Sequence, residues 1–377
     1  MTKYTGPRSA EDILPGHPDR LCDAVAERLV QEANWWDADA LVGVEVALHR
    51  HKLYITGRIA ASSLDLPGMG PEPIRLDRGK LEKLVAAEFE NAGYTGSWRH
   101  HVSVETDLDI GELSDEERDI RKFSDDQGIA TGYADPDTPS LLPLEAHVVR
   151  RLRLALAAAQ KSSSDQLGPD GKVLIRLSSG AVPRLEYVNL AIQHVPGVGF
   201  EDLYRMVFPY LEEAFIDLEH LVSPPTSLAG DAVRLNGIGD FTCGGPLGDN
   251  GLSGKKLVVD HYGPHIPIGG GAICGKDAHK PDRVGALRAR QIACRLATAT
   301  GLAASVHLGF LPGLEAPDRI WAVLEDGRIL DIDTLANLIP LPDCSLAATA
   351  RDLELANQPW PEIMRKGYMG NNWGWDR

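Results

Sequence analysis

The sequence predicts an α+β fold. Short strand-like and helix-like segments arrive in three similar batches. No regular strand–helix alternation runs through the chain, and the apolar runs are too short for one large doubly wound sheet. No clear internal sequence repeat accompanies the batches.

The elements follow in order. Leu21, Val25, Leu29 and Ala33 recur at helical spacing, with Pro18 at the first helical position and Asp19 in the opening turn. The apolar-rich runs 41–48 and 53–60, split by His49-Arg50-His51-Lys52, predict a β-hairpin. A turn over 49–52 sets Leu48 opposite Leu53 and Gly43 opposite Arg58, with Glu45 diagonal to Arg58 on the same face. A second helix is expected over 79–92. Residues 101–140 carry twelve acidic and three basic side chains, with Gly111, Gly128 and Gly132, and predict an exposed, mobile loop leading into a structured turn. An amphipathic helix is expected over 145–161, strands over 173–177 and 186–193, and a helix over 200–218 that Pro209 kinks or splits. Pro224, Pro225 and Gly230 mark a boundary. Beyond it come a glycine-rich stretch from Gly237 to Gly275, a helix over 282–301 and strands near 305–310 and 320–324.

Composition limits the function. The chain has 377 residues, 43% hydrophobic and 24% charged, enough for two or three cores. Its 38 basic and 54 acidic side chains leave a net charge of -16. Nucleic acid and anionic membranes demand a basic surface, so neither is an expected partner. The balance is uneven, however. Residues 251–290 carry seven basic and three acidic groups, a small cationic site inside an acidic body. Met1 to Pro7 hold no apolar signal-peptide core, and no stretch is long enough for a membrane span. Cys22, Cys243, Cys274, Cys294 and Cys344 form no CxxC pair. A cytoplasmic protein without a disulfide framework or zinc ribbon is the expectation.

The densest chemistry lies in residues 244–283. GGPLGDNGLSGKK (244–256) and GGGAICGKDAHKPDR (269–283) surround Lys255, Lys256, Lys276 and Lys280 with glycines that let a backbone approach a ligand. The lysines suit phosphate oxygens, and Asp249, Asp277 and Asp282 are hard oxygen ligands suited to Mg²⁺ on a polyphosphate. Gly270 to Lys276 spells G-x-x-x-x-G-K, but Asp277 follows where a P-loop needs Ser or Thr, and residues 261–268 do not read as a strand. Gly16-His17-Pro18-Asp19-Arg20 places a His and an Asp at a helix N-terminus, where the dipole favours anions. Asp125-Asp126-Gln127-Gly128, after the acidic loop, is a candidate turn, and in the turn Gly168-Pro169-Asp170-Gly171-Lys172 Asp170 suits a ribose hydroxyl and Lys172 a phosphate. Each piece alone also reads as a helix cap, a turn or a solvated charge.

Taken in order, GHPDR, DDQGIATGYA (125–134), GPDGK and the two glycine-rich segments resemble the S-adenosylmethionine synthetase (methionine adenosyltransferase) family over nearly the whole chain. The resemblance implies three α+β domains related by a pseudo-threefold, set here at 1–103, 104–230 (with the acidic loop) and 231–377. It implies a homodimer or homotetramer with active sites at a dimer interface. The implied reaction is attack of the methionine sulfur on C5′ of ATP, giving S-adenosylmethionine, with the triphosphate then cleaved to pyrophosphate and phosphate. The nucleophile is neutral, so catalysis must stabilise charge gathering on the leaving triphosphate.

Residue by residue, the resemblance puts His17 by the triphosphate and makes Asp19 and Asp282 the Mg²⁺ ligands. Glu45 falls where a monovalent cation, usually K⁺, is held. Asp126 lies near the phosphate and nucleoside end, and Asp170 and Lys172 match ribose and phosphate positions. Phe241 matches an aromatic that stacks on adenine. Asp249 faces the amino acid and nucleoside, and Lys256, Lys276 and Lys280 match polyphosphate lysines. Lys255 stands where Arg is usual, and Arg20 where Lys is usual; both keep charge and change geometry. The acceptor side departs further. Arg58 replaces a Glu that holds the methionine ammonium, Ile110 falls where a Gln contacts methionine, and Phe123-Ser124-Asp125 replaces a Gly-Ala-Gly. Arg58 either pairs with Glu45 and replaces the K⁺, or binds an anionic group on a different thioether, or leaves methionine to be held another way. A specialised paralogue with another acceptor and a catalytically silent nucleotide-binding homologue are the alternatives. The retained His17, Asp19, Lys276, Lys280 and Asp282 speak against the silent one.

Overall fold

The computed structural model describes residues 6–66, 70–180, 182–225 and 232–377. Its strands are β1 (Arg8–Ile13), β2 (Leu41–His49), β3 (Lys52–Ala61), β4 (Leu64–Leu66), β5 (Gly70–Glu72), β6 (Ser103–Glu112), β7 (Gly128–Ala134), β8 (Leu167–Leu177), β9 (Leu185–His194), β10 (Val233–Leu235), β11 (Gly251–Leu252), β12 (Ala304–Phe310), β13 (Arg319–Leu324) and β14 (Ile329–Leu330). Its helices are α1 (Pro18–Trp36), α2 (Arg78–Asn91), α3 (Asp115–Ile120), α4 (Leu144–Ser162), α5 (Phe200–Leu218), α6 (Leu257–Asp260), α7 (Pro281–Thr300), α8 (Ile332–Leu338), α9 (Leu346–Asp352) and α10 (Trp360–Lys366).

Three four-stranded sheets carry the fold, in the orders β1-β8-β9-β10, β11-β2-β3-β6 and β14-β13-β12-β7, and β4-β5 form a small extra pair. Each large sheet buries one face against long helices: α4 against the first, α1 against the second, α7 against the third. The class is α+β, as predicted, with three similar sheet-and-helix layers. Each sheet draws strands from more than one of the spans 1–103, 104–230 and 231–377: β1 pairs with β8, β11 with β2, and β7 with β12. The boundary expected at Gly230 lies outside the described residues. No described helix is long and apolar enough to cross a membrane. All five cysteines are unpaired.

The hairpin register is the expected one: Leu48 faces Leu53, Gly43 faces Arg58, and Glu45 faces Thr56. Two expectations fail for physical reasons. The acidic stretch is not a bare loop. Residues 103–112 form β6, a ten-residue edge strand parallel to β3, and α3 follows with a Ser114–Glu117 capping box. An edge strand tolerates charge on its solvent side, and acidic side chains there block further pairing. Of the two outcomes expected of Pro209, a kink or a split, the split does not occur, for α5 runs unbroken from Phe200 to Leu218. Pro209 and Arg205, whose carbonyl the missing N–H would have met, both lie on the exposed face, so water can satisfy that carbonyl.

Candidate functional site

The site is assembled by β1 and β8. Ile13 pairs with Lys172, and Leu14 N donates to Gly171 O at 2.9 Å, so GHPDR and GPDGK meet although some 150 residues separate them. The approach requires Gly16, because a Cβ there would lie 2.4 Å from Pro169 O. Tyr94 Oη donates to Gly16 O at 2.7 Å and fixes the turn from behind.

His17 is the N-cap of α1. Asp19 N donates to His17 Nδ1 at 3.2 Å, so the neutral ring carries its proton on Nε2. His17 is only 1% exposed, and Nε2 is buried without a partner. Burial, then Lys172 and Lys256 against the opposing field of Asp19, lowers its pKa to about 3. A neutral donor is thus buried beside the cations Lys172 and Lys256. Asp19 is fully buried. Burial opposes its ionisation, but Leu252 N at 3.0 Å, Lys256 Nζ at 3.0 Å and the nearby His17 outweigh it, and its pKa is lowered; Lys255 Nζ lies 3.5 Å away.

Asp170 closes the cluster. Gly245 N donates to its Oδ2 at 2.8 Å, while Oδ1 is buried and unpartnered. Burial raises its pKa to about 6 against the pull of the Gly245 N–H and Lys172. The group is therefore a full acceptor only above about pH 6. Nucleotide KM is expected to rise as pH falls through about 6, and Asp170→Asn to flatten that limb; a limb unchanged in the variant would assign it elsewhere. Asp249 stands exposed nearby, and its field reaches both His17 and Asp170. Phe241 is half-buried, its backbone clamped by His194, which donates N–H to Phe241 O at 3.0 Å and accepts Phe241 N on Nε2 at 3.0 Å.

A second cluster forms where α7 begins. Lys276 pairs with Asp282 at 2.5 Å, and Lys280, the N-cap of α7, pairs with Asp125. Asp282 is seated against Gly271, where a Cβ would fall 2.0 Å from its carboxylate. Asp126 is exposed and holds its own turn, with Gln127 N on Oδ1 at 2.8 Å; it is the neighbouring Asp125 that reaches a lysine. Among the described residues no hydrogen bond or ion pair joins this cluster to that of His17 and Asp19. The candidate P-loop is absent: residues 261–268 form no strand.

Arg58 does not pair with Glu45, which corrects one sequence expectation. Its Nε and Nη2 grip Glu117 of α3 at 2.6 and 2.9 Å, and Nη1 holds Asp109 of β6 at 2.7 Å. The strand register explains this: Asp109 sits directly opposite Arg58 on β6, whereas Glu45 is opposite Thr56. Arg58 and the capping box of Ser114 pull the Glu117 pKa down to about 2. With Arg58 so engaged, nothing supports it as a stand-in for K⁺ beside Glu45. Ile110 lies opposite Ile59 and packs on the apolar core.

The sequence does not single out Tyr94, Glu117 or Gln193. Tyr94 and Gln193 lie in segments whose pattern signals only packing, and Glu117 was one acid among twelve.

Three sheet-and-helix layers, with lysine and carboxylate clusters at the starts of α1 and α7, define the class as α+β. The chain belongs to the S-adenosylmethionine synthetase family, and with it to the transferases. The sequence pattern of that family's central domain matches residues 122–229, and that of its C-terminal domain matches 243–377. The S-adenosylmethionine synthase of Methylobacterium nodulans is 31% identical over 344 residues, 85% of this chain and 82% of that one. That of Brachyspira hyodysenteriae is 28% identical over 385 residues, 96% and 92% of the two chains. A solved structure described as an unusual S-adenosylmethionine synthetase from Campylobacter jejuni shares the fold, with a TM-score of 0.85 at 22% identity, over 99% of this chain and 97% of that one.

Proposed function

We propose that the protein is an ATP-dependent adenosyltransferase in which a thioether sulfur, by default that of methionine, attacks C5′ of ATP and expels the triphosphate, which is then cleaved to pyrophosphate and phosphate. The observation that carries this reading is His17 Nε2, a buried, unpartnered, neutral donor flanked by Lys172 and Lys256. A leaving triphosphate gathers negative charge, and fixed donors and cations in a dry cleft stabilise that charge without reorganising. No residue is asked to act as a base, because the sulfur is neutral. His17 donates to a phosphate oxygen, Lys172, Lys256, Lys276 and Lys280 neutralise the chain of phosphates, and Asp170 accepts from a ribose hydroxyl.

Asp19 and Asp282 fit Mg²⁺. Both are hard carboxylates beside phosphate-binding lysines, and Gly271 leaves the Asp282 carboxylate a cradle that any Cβ would fill. Among the described residues no three His, Cys, Asp or Glu groups converge on one ion. That suits Mg²⁺, which binds by one or two carboxylates and takes its other oxygens from phosphates and water. When bound it neutralises polyphosphate charge. Glu45, opposite Thr56, is where K⁺ would be held. In this reading the active sites are completed by a second copy of the chain, in a homodimer or homotetramer.

The second reading of the acceptor, a carboxylate-bearing thioether in place of methionine, would need Arg58 to exchange Glu117 or Asp109 for the substrate's carboxylate. Incubation with ATP, Mg²⁺, K⁺ and methionine, followed by mass spectrometry, is expected to yield S-adenosylmethionine, pyrophosphate and phosphate. Product from 4-methylthiobutyrate but not from methionine would establish the second reading. No adenosylated product from either thioether would overturn both.

A further inference from the structure

His17 Nε2, Asp170 Oδ1 and Gln193 Oε1 are buried polar atoms of this site without hydrogen-bond partners. The first two are a phosphate donor and a ribose acceptor in the reading above. The third is left over, and Gln193 is 6% exposed. An amide oxygen so enclosed and unsatisfied costs stability, so its retention calls for a ligand or a cause.

Its position is set by a strand irregularity. β8 and β9 pair from Leu167↔His194 and resume at Gly171↔Ile192, so residues 168–170 bulge opposite Gln193 alone. Bulges of this kind re-aim side chains beside functional sites. Here the bulge carries Asp170 and brings it beside Gln193. Two glycines clear the space around the amide. A Cβ on Gly168 would lie 2.6 Å from Gln193 Oε1, and a Cβ on Gly244 would lie 2.9 Å from Gln193 Cδ and 3.0 Å from the Phe241 ring. The amide and the Phe241 ring therefore border one spot, over the loop whose Gly245 N holds Asp170. The next residue on β9, His194, fixes the Phe241 backbone through two hydrogen bonds.

Resting on the nucleotide reading of this cleft, we infer that Gln193 is the base-reading residue: its Oε1 accepts a hydrogen bond from the exocyclic amino group of an adenine stacked on Phe241. The unpartnered atoms then follow the ligand in order, with Gln193 at the base, Asp170 at the ribose and His17 at the phosphates. A 6-oxopurine presents an acceptor where adenine presents N–H, so a hypoxanthine or guanine base would set two acceptors face to face in a dry site. Sites built to pair a polar group reject analogues that cannot complete the bond.

The test is equilibrium binding of ATP, ITP and the base-free probe tripolyphosphate to the full-length protein. The wild type is expected to prefer ATP over ITP by about tenfold or more. Gln193→Leu, close in volume and apolar, is expected to weaken ATP about tenfold, leave tripolyphosphate unchanged and collapse the ATP/ITP ratio towards one. Gln193→Glu keeps acceptor oxygens and is expected to retain the preference, which separates base reading from packing should the Leu variant fold poorly. Equal weakening of ATP, ITP and tripolyphosphate in Gln193→Leu would mark a packing role and overturn the assignment. So would a wild type that binds tripolyphosphate but does not distinguish ATP from ITP. A wild type that binds none of the three would instead remove the nucleotide reading on which the inference rests.

Discussion

His17→Asn is expected to lower kcat about 10²- to 10³-fold with little change in the KM for ATP, the cost of losing one preorganised donor to a charge that grows in the transition state. Asparagine is the informative replacement because it is a good N-cap. Its carbonyl can take over the bond from Asp19 N that His17 Nδ1 now accepts at 3.2 Å, so α1 keeps its start. What it cannot reproduce is the reach of Nε2. The pKa adds a second signature. Burial first, then Lys172, holds His17 near 3, so the ring stays neutral across the working range and no acid limb near pH 6 belongs to it. The stability consequence has a definite sign. Between about pH 6.5 and 3 the unfolded chain binds a proton at this residue and the folded chain does not, so stability falls as pH drops through that window. Urea unfolding across pH 4–7 is expected to show a shallower pH slope in His17→Asn than in wild type. An acid limb near pH 6 in the wild-type kcat that vanishes in the variant would contradict a neutral His17.

The site was legible as residue types and not as geometry. Each motif on its own reads as a turn or a cap; what unites them is β1, a strand with no local signature. Its inward positions are Arg8, Ala10 and Asp12, so the apolar alternation that announces a strand is missing. The charges are paired instead, Asp12 with Arg153 at 3.3 Å and Arg8 with Glu145 at 3.8 Å. The β2–β3 register, by contrast, followed from its turn, because a period of two leaves no freedom once one pair is fixed. Arg58 shows the limit of such reasoning. The hairpin alone offered Glu45 as its partner, and only the third strand, β6, brought Asp109 directly opposite and α3 within reach. Parallel pairing between segments 50 residues apart has no local signature, and an acidic edge strand looks like a solvated loop until its neighbour is known.

A buried ion pair ties together α1 and α7, the helices at whose starts the two clusters sit. Glu27 lies eight residues beyond Asp19 on α1, about 12 Å along the axis, and Arg283 directly follows Asp282 on α7. Glu27 accepts from Arg283 Nη2 and from Tyr368 Oη, and all three residues are fully buried. Arg283 also donates Nε to Ile273 O at 3.1 Å and stacks 3.9 Å above the Trp360 ring, which binds the C-terminal segment to the same point. Burial raises the Glu27 pKa against the pull of Arg283, the sign that desolvation is the dominant cost. Glu27→Ala strands a guanidinium in the core and is expected to destabilise the fold by about 3–5 kcal/mol. The double variant Glu27→Leu, Arg283→Met removes both charges and is expected to recover most of that loss, since an apolar pair of similar volume avoids desolvation altogether. Chemical denaturation of the single and double variants completes the cycle. A single variant as stable as wild type would mean that Arg283 is satisfied by Ile273 O and Trp360 without the carboxylate, and that packing rather than charge sets the spacing of the two helices.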